Sequence, residues 1–233
     1  MIEEPIHFNP TTFQNSVNFN YTIFNGTANF EHSVFKRDAY FWGSEFNGNA
    51  FFSGSEFKGD ASFGLSNFNG YTGFGDSEFN GTADFMFSEF NSDSYFGDSK
   101  FNGTADFNHS EFNDRSCFQD SQFNYTANFE EGTFEKEASF NDAIFKGETS
   151  FNSTWFKDDA LFWNTTFLCK LALSRTRFEK LKLYIRWNDI NGSLVYDEAA
   201  YMSLMKSFQE LGYFEDYNSC YSQYIKERRG PIK

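Results

Sequence analysis

Phenylalanine recurs in this chain at alternating intervals of five and six residues, thirty times without a slip from Phe8 to Phe167. Such a pattern dictates one structural slot used over and over. A step of five residues turns an α-helix by about 140°, so successive rings would face opposite sides, and the intervening Gly, Asn, Ser and Asp are poor helix formers. A strand satisfies the pattern instead. Side chains alternate across a strand, so each Phe shares its face with the residue two before it. That residue is small in nearly every unit: Ala28, Ser33, Ala39, Ser44, Ala50, Ser55, Ala61, Ser66. The flanking positions are largely Asn, Asp, Glu, Ser and Lys, suited to solvent, and Gly, Asn and Asp mark the bends.

Four consecutive intervals span 22 residues, the distance at which Phe-Asn-Gly-Thr-Ala-Asp-Phe at 79–85 repeats at 101–107. The chain therefore reads as an all-β solenoid of four short sides per coil and about eight coils, rising ~4.8 Å each. Its core is a column of rings represented by Phe79, Phe85, Phe90, Phe96, Phe101, Phe107, Phe112, Phe118 and Phe123.

The small-x-Phe units from Phe8 to Phe178 resemble the pentapeptide-repeat family, in its Phe-rich variant of alternating five- and six-residue sides. The resemblance implies a right-handed quadrilateral β-helix over residues 1–180. The six-residue sides depart from the strict family pattern.

After Phe178 the repeat gives way to a second unit, 181–233. Leu181–Trp187 reads as a basic, apolar transition into helix. Asp197 begins a helical stripe of Tyr201, Leu204, Met205, Phe208 and Leu211, which Gly212 ends. A second stripe follows at Tyr217, Cys220, Tyr221, Tyr224 and Ile225. The expected αα-hairpin is a C-terminal α-helical cap on the last coil, where strand edges need cover, and a candidate homodimer surface. It resembles a single tetratricopeptide-type unit. Together with Tyr184–Trp187 and the Phe-rich repeats, it also resembles pentapeptide-repeat proteins of methanogenic archaea, some of which continue into a membrane ion-channel-like region.

A lumen packed with rings leaves no concave site, and ligand sites are concave. We expect no enzyme, cofactor or metal. Of the histidines, His32 and His109 fall on opposite sides of the rod, and Cys117, Cys169 and Cys220 lie too far apart for a metal or disulfide framework. Net charge is −14, which disfavours direct binding to nucleic acid. Residues 1–167 carry 25 acidic and 8 basic side chains, whereas Lys170–Arg186 is basic. The expected function is a non-enzymatic scaffold or protein–protein interaction module. Outward carboxylates such as Glu56 and Glu78, with Tyr217, Tyr221 and Tyr224 of the hairpin, are the candidate surface. The alternative is an acidic DNA mimic that binds a nucleic-acid-handling protein such as DNA gyrase, which the family resemblance suggests. The Thr82, Thr104, Thr126 row is interrupted by Asp60 and Glu148, which argues against ice binding. The opening Met-Ile-Glu-Glu-Pro lacks a leader pattern, and no apolar run approaches ~18 residues. A cytoplasmic location is expected, with tethering to a membrane if the chain continues into an apolar segment.

Overall fold

The computed structural model describes residues 1–179 and 183–229. Its strands are two residues long and pair only in parallel, each with the strand one coil away, 22 residues on along almost the whole rod. They stack into four faces. The first runs from Ile6–His7 to Leu183–Tyr184 with nine strands; the second from Thr12–Phe13 to Thr166–Phe167, the third from Val17–Asn18 to Leu171–Ala172 and the fourth from Ile23–Phe24 to Arg177–Phe178, with eight each. The protein is thus a four-sided β-solenoid of about eight turns.

Register follows from the ring slot. Phe57 pairs with Phe79 and Phe79 with Phe101, so each ring lies on the one beneath. Phe79 and Phe101 stack at 5.0 Å with parallel planes, while Phe101 meets Phe107 of the next side edge-on at 6.1 Å and 77°. Strand spacing imposes the stacked contacts, and the square cross-section supplies the edge contacts that ring quadrupoles prefer. The nine rings from Phe79 to Phe123 are at most 1% exposed. Burying each contributes about 1.5–3 kcal/mol against chain entropy.

The small residue beside each ring is not interchangeable between sides. Facing the third face it is mostly Ala, and facing the first it is Ala at both ends of a run of Thr72, Ser94 and Ser116. At the two corners that fall within the five-residue Phe intervals it is mostly Ser or Thr, because that side chain reaches back to the previous coil. Ser55 Oγ donates to the Phe30 carbonyl at 2.7 Å, Ser88 to Phe63 at 2.7 Å and Thr154 to Phe129 at 2.7 Å. These hydroxyls are second donors to carbonyls that already close the turn, as the Phe30 oxygen does by accepting from Ser33 N–H at 3.1 Å, so both lone pairs of the carbonyl are used. Asparagines brace the other corners from outside, as where Asn69 Nδ2 donates to Asn47 Oδ1 at 2.8 Å and Asn113 to Asn91 at 2.7 Å.

The expected boundary at 180/181 lies outside the described residues, as does Leu181. The helix expected over Leu181–Trp187 is corrected: Leu183–Tyr184 is a further strand of the first face, pairing with Ala160–Leu161, and helix begins only at α1 (Trp187–Ile190). Leu173 and Ile185 take over the ring slots from Phe, and Leu171 and Leu183 the small-residue slots held one coil earlier by Thr149 and Ala160, so the coil outlasts its signature residue. Helices α2 (Glu198–Glu210) and α3 (Phe214–Arg229) form the hairpin. Asp197 caps α2 by accepting from Ala200 N–H at 2.9 Å, and Gly212 turns with φ +72°. Trp187, Ile190, Tyr201, Leu204 and Phe208 are buried at this end of the rod. Asp216 on α3 fastens the hairpin: it accepts from Trp187 N–H at 2.8 Å and from the Arg186 guanidinium at 2.8 Å.

Candidate functional site

With the interior filled, everything available for recognition is displayed outward, and its position follows from the 22-residue register. The two corners within the five-residue Phe intervals place one residue per coil in the left-handed region, φ +54° to +67°. Between the first and second faces this row reads His32, Gly54, Asp76, Asp98, Asp120, Asp142, Asn164. Gly, Asn and Asp are the residues that tolerate such dihedrals. Four exposed carboxylates therefore stand in line, one per coil. Between the third and fourth faces the row reads Tyr21, Gly43, Leu65, Phe87, His109, Glu131, Ser153, Arg175. His32 and His109 thus occupy opposite corners. His109 stacks on Phe87 at 4.6 Å and its Nε2 lies 3.0 Å from Glu131.

Outward carboxylates differ by face. On the second face Glu56 and Glu78 are register partners, both half-buried. Glu56 pairs with Lys58 at 3.1 Å, and Glu78 accepts from Asn102 Nδ2 at 2.9 Å. On the third face Asp84 and Asp106 are register partners. Burial pushes both carboxyls above the usual aspartate range, opposed by backbone N–H donors from Met86 and Asn108 respectively. Asn128 Nδ2 also donates to Asp106 Oδ1 at 3.0 Å.

Charge changes sign toward the helical end. Lys157 and Arg177 lie over the Trp155 ring at 4.2 and 5.9 Å, and Arg175 and Arg177 are exposed. Lys170 pairs with Glu148 at 2.9 Å. Lys180 and Lys182 of the expected basic segment lie outside the described residues.

The hairpin tyrosines part company. Tyr221 is 47% exposed and stacks parallel to the half-buried Tyr217 at 6.4 Å. Tyr224, expected on the surface, is corrected: it is 2% exposed, meets the Tyr201 ring at 5.9 Å with the planes tilted by 40°, and donates its hydroxyl to Glu198 at 2.7 Å. The helical stripe was too broad to say which tyrosine faces α2, and packing selects every fourth residue, Asp216, Cys220 and Tyr224. Burial pushes the Cys220 thiol up to about 12. Among the described residues no group of His, Cys, Asp and Glu is arranged to hold a metal, and no helix is long and apolar enough to cross a membrane.

The apolar members of the third–fourth corner, Tyr21, Leu65 and Phe87, escaped the sequence reading. They lie at whole multiples of 22 residues, so the column was present in the sequence. What marks it as unusual is the backbone, since Leu and Phe stand where the opposite corner uses Asp.

Compared with known proteins, residues 3–45 match the family model described as Pentapeptide repeats (9 copies). No curated protein and no solved structure matches the chain.

Proposed function

We propose that this chain, a pentapeptide-repeat β-solenoid, acts as a non-enzymatic rod for protein–protein contact. The observation that supports it best is the filled lumen: the inward rings from Phe24 to Phe167 are at most 6% exposed, so recognition falls to convex faces. The acidic rows favour a partner with a basic surface, since complementary potentials steer encounter and set register. The test is direct binding. A partner captured on the immobilised chain, then purified, should bind with an affinity that falls with salt and falls again when Asp76, Asp98, Asp120 and Asp142 are changed to Asn. Binding that ignores both would sink the reading.

A second reading, DNA mimicry toward an enzyme such as DNA gyrase, is favoured by that same aspartate row. Its carboxylates repeat with the coil, ~4.8 Å along the axis, against ~3.4 Å of axial rise per phosphate of one DNA strand. A supercoiling assay decides: protection of gyrase by the native chain, lost in the fourfold Asn variant, supports mimicry. No effect at micromolar protein removes it.

A further inference from the structure

The third–fourth corner carries an apolar stripe that the fold itself does not need. Tyr21, Leu65 and Phe87 are 73%, 51% and 44% exposed. Trp42 and Met86 fill the adjoining row, half-buried. Contiguous exposed apolar surface of this kind marks interaction sites, whereas single exposed residues do not.

Two further observations show that the stripe is built. Leu65 and Phe87 hold φ of +55° and +56°, a region that bulky side chains rarely enter and that the opposite corner fills with Asp. They are therefore disfavoured twice, by backbone and by solvent, and strain of this sort concentrates where a surface has work to do. Beneath the aromatic rings lie glycines. A Cβ on Gly43 would stand 2.8 Å from the Tyr21 ring, and one on Gly64 would stand 2.3 Å from the Trp42 ring. Each glycine lets a ring lie flat along the corner.

The surroundings identify the occupant. Glu45, Glu89 and Glu111 project along the fourth face on one side of the stripe, and Asp84 and Asp106 line the third face on the other. A second copy laid on the stripe would bring carboxylate rows against carboxylate rows, which like-charge repulsion opposes. We infer that this corner docks a basic amphipathic helix of a partner protein, its apolar face on Tyr21, Trp42, Leu65 and Phe87 and its Lys or Arg flanks toward the two acidic rows. The inference rests on the reading of the rod as an interaction protein. From Tyr21 to His109 is four coil steps, ~19 Å, which a helix of about 14 residues spans at 1.5 Å per residue.

The experiment uses the full chain and three synthetic helical peptides of that length, with binding measured by titration calorimetry. The first carries Leu and Phe at helical spacing flanked by Lys and Arg. The second keeps the charges but replaces the apolar face with Ser, and the third keeps the apolar face with Glu flanks. The first should bind at least about tenfold tighter than either other, the signature of apolar and electrostatic contact acting together. Leu65→Asn with Phe87→Asn should reduce the first peptide to the affinity of the second, without lowering the melting temperature, because Asn suits the left-handed backbone. Equal binding of the first and second peptides overturns the docking site while leaving an acidic interaction rod. Equal binding by the double variant also overturns it, as does a chain dimer that the double variant abolishes. Binding of none of the three peptides removes both the site and the electrostatic premise of the proposed function.

Discussion

Gly132 stands where other corners place Ser or Thr, and restoring the hydroxyl should stabilise the rod measurably. Ser110 and Thr154, one coil to either side, donate to Phe85 and Phe129 at 2.7 Å each; the corresponding acceptor for position 132 is the Phe107 carbonyl. A Cβ built on Gly132 lies 3.9 Å from that oxygen, which puts a serine Oγ within hydrogen-bond reach, and 3.1 and 3.3 Å from the Phe129 and Ser110 carbonyls, close contacts that the corner must ease slightly. The backbone already matches, since Gly132 N–H closes its turn on the Phe129 carbonyl at 3.2 Å and Ser110 does so on Phe107 at 3.1 Å. Removing glycine from the unfolded ensemble contributes about 0.4–1 kcal/mol, and the hydrogen bond about 0.5–1.5 kcal/mol. The sum, about 1–2.5 kcal/mol, corresponds to a rise of roughly 2–10 °C in melting temperature for a chain of this size. Gly132→Ala separates the two contributions, and thermal unfolding followed by far-UV circular dichroism reads them. Native, Ala and Ser forms should melt in ascending order. A Ser form no more stable than the Ala form would refute the hydroxyl argument, and a Ser form less stable than the native chain would show that the corner requires glycine for space.

Ser94 and Ser116 sit in the inward row of the first face, where Ala50 and Ala138 are the pattern, and their hydroxyls find no hydrogen-bond partner. Ser94→Ala and Ser116→Ala should each raise the denaturation midpoint, by about 1 kcal/mol, since an unpaired buried hydroxyl costs about 1–3 kcal/mol; a loss of stability would reveal a bond this structure lacks. Burial holds the Asp84 and Asp106 carboxyls above their ordinary 3.8, so the folded chain binds these protons more tightly than the unfolded one. Their contribution is complete below that value and is lost as pH rises through the folded values. Asp84→Asn with Asp106→Asn should therefore flatten the decline of stability on the alkaline side of 3.8, and an unchanged pH profile by denaturant titration would contradict the burial argument. The Cys220 thiol, fully buried with its pKa near 12, should resist a thiol reagent at about pH 8 until the chain unfolds; rapid modification of the native hairpin would show that it opens.

The ring column was legible because one residue type marks one slot, and the coil length followed from the distance at which Phe79 recurs as Phe101. Where the marker changes, legibility fails: Ile185 fills the ring slot and Leu183 the small-residue slot of Ala160, yet without Phe the strand there read as helix. The division of small residues into Ala and Ser was visible, but its reason was not, because the acceptor of Ser55 lies 25 residues back, on Phe30, in a neighbouring coil. Tyr224 and Tyr221 share a helical stripe in the sequence and separate only on packing, when Glu198 claims one hydroxyl. The apolar corner was hidden for another cause. Leu65 and Phe87 look ordinary until their dihedrals are known, and only then does their exposure stand out as a cost.

Because five- and six-residue sides alternate, the compass direction of any side chain is fixed by its count along the chain. Eleven residues make half a revolution, so inserting or deleting one such block would rotate every later coil by 180° while leaving the rings in their column. The aspartate row would then continue beneath Tyr21 and Gly43, and the Leu65–Phe87 edge would swing to the opposite side. Surface features of this rod can be rephased against one another, like rings on a combination lock, with no repacking of the interior.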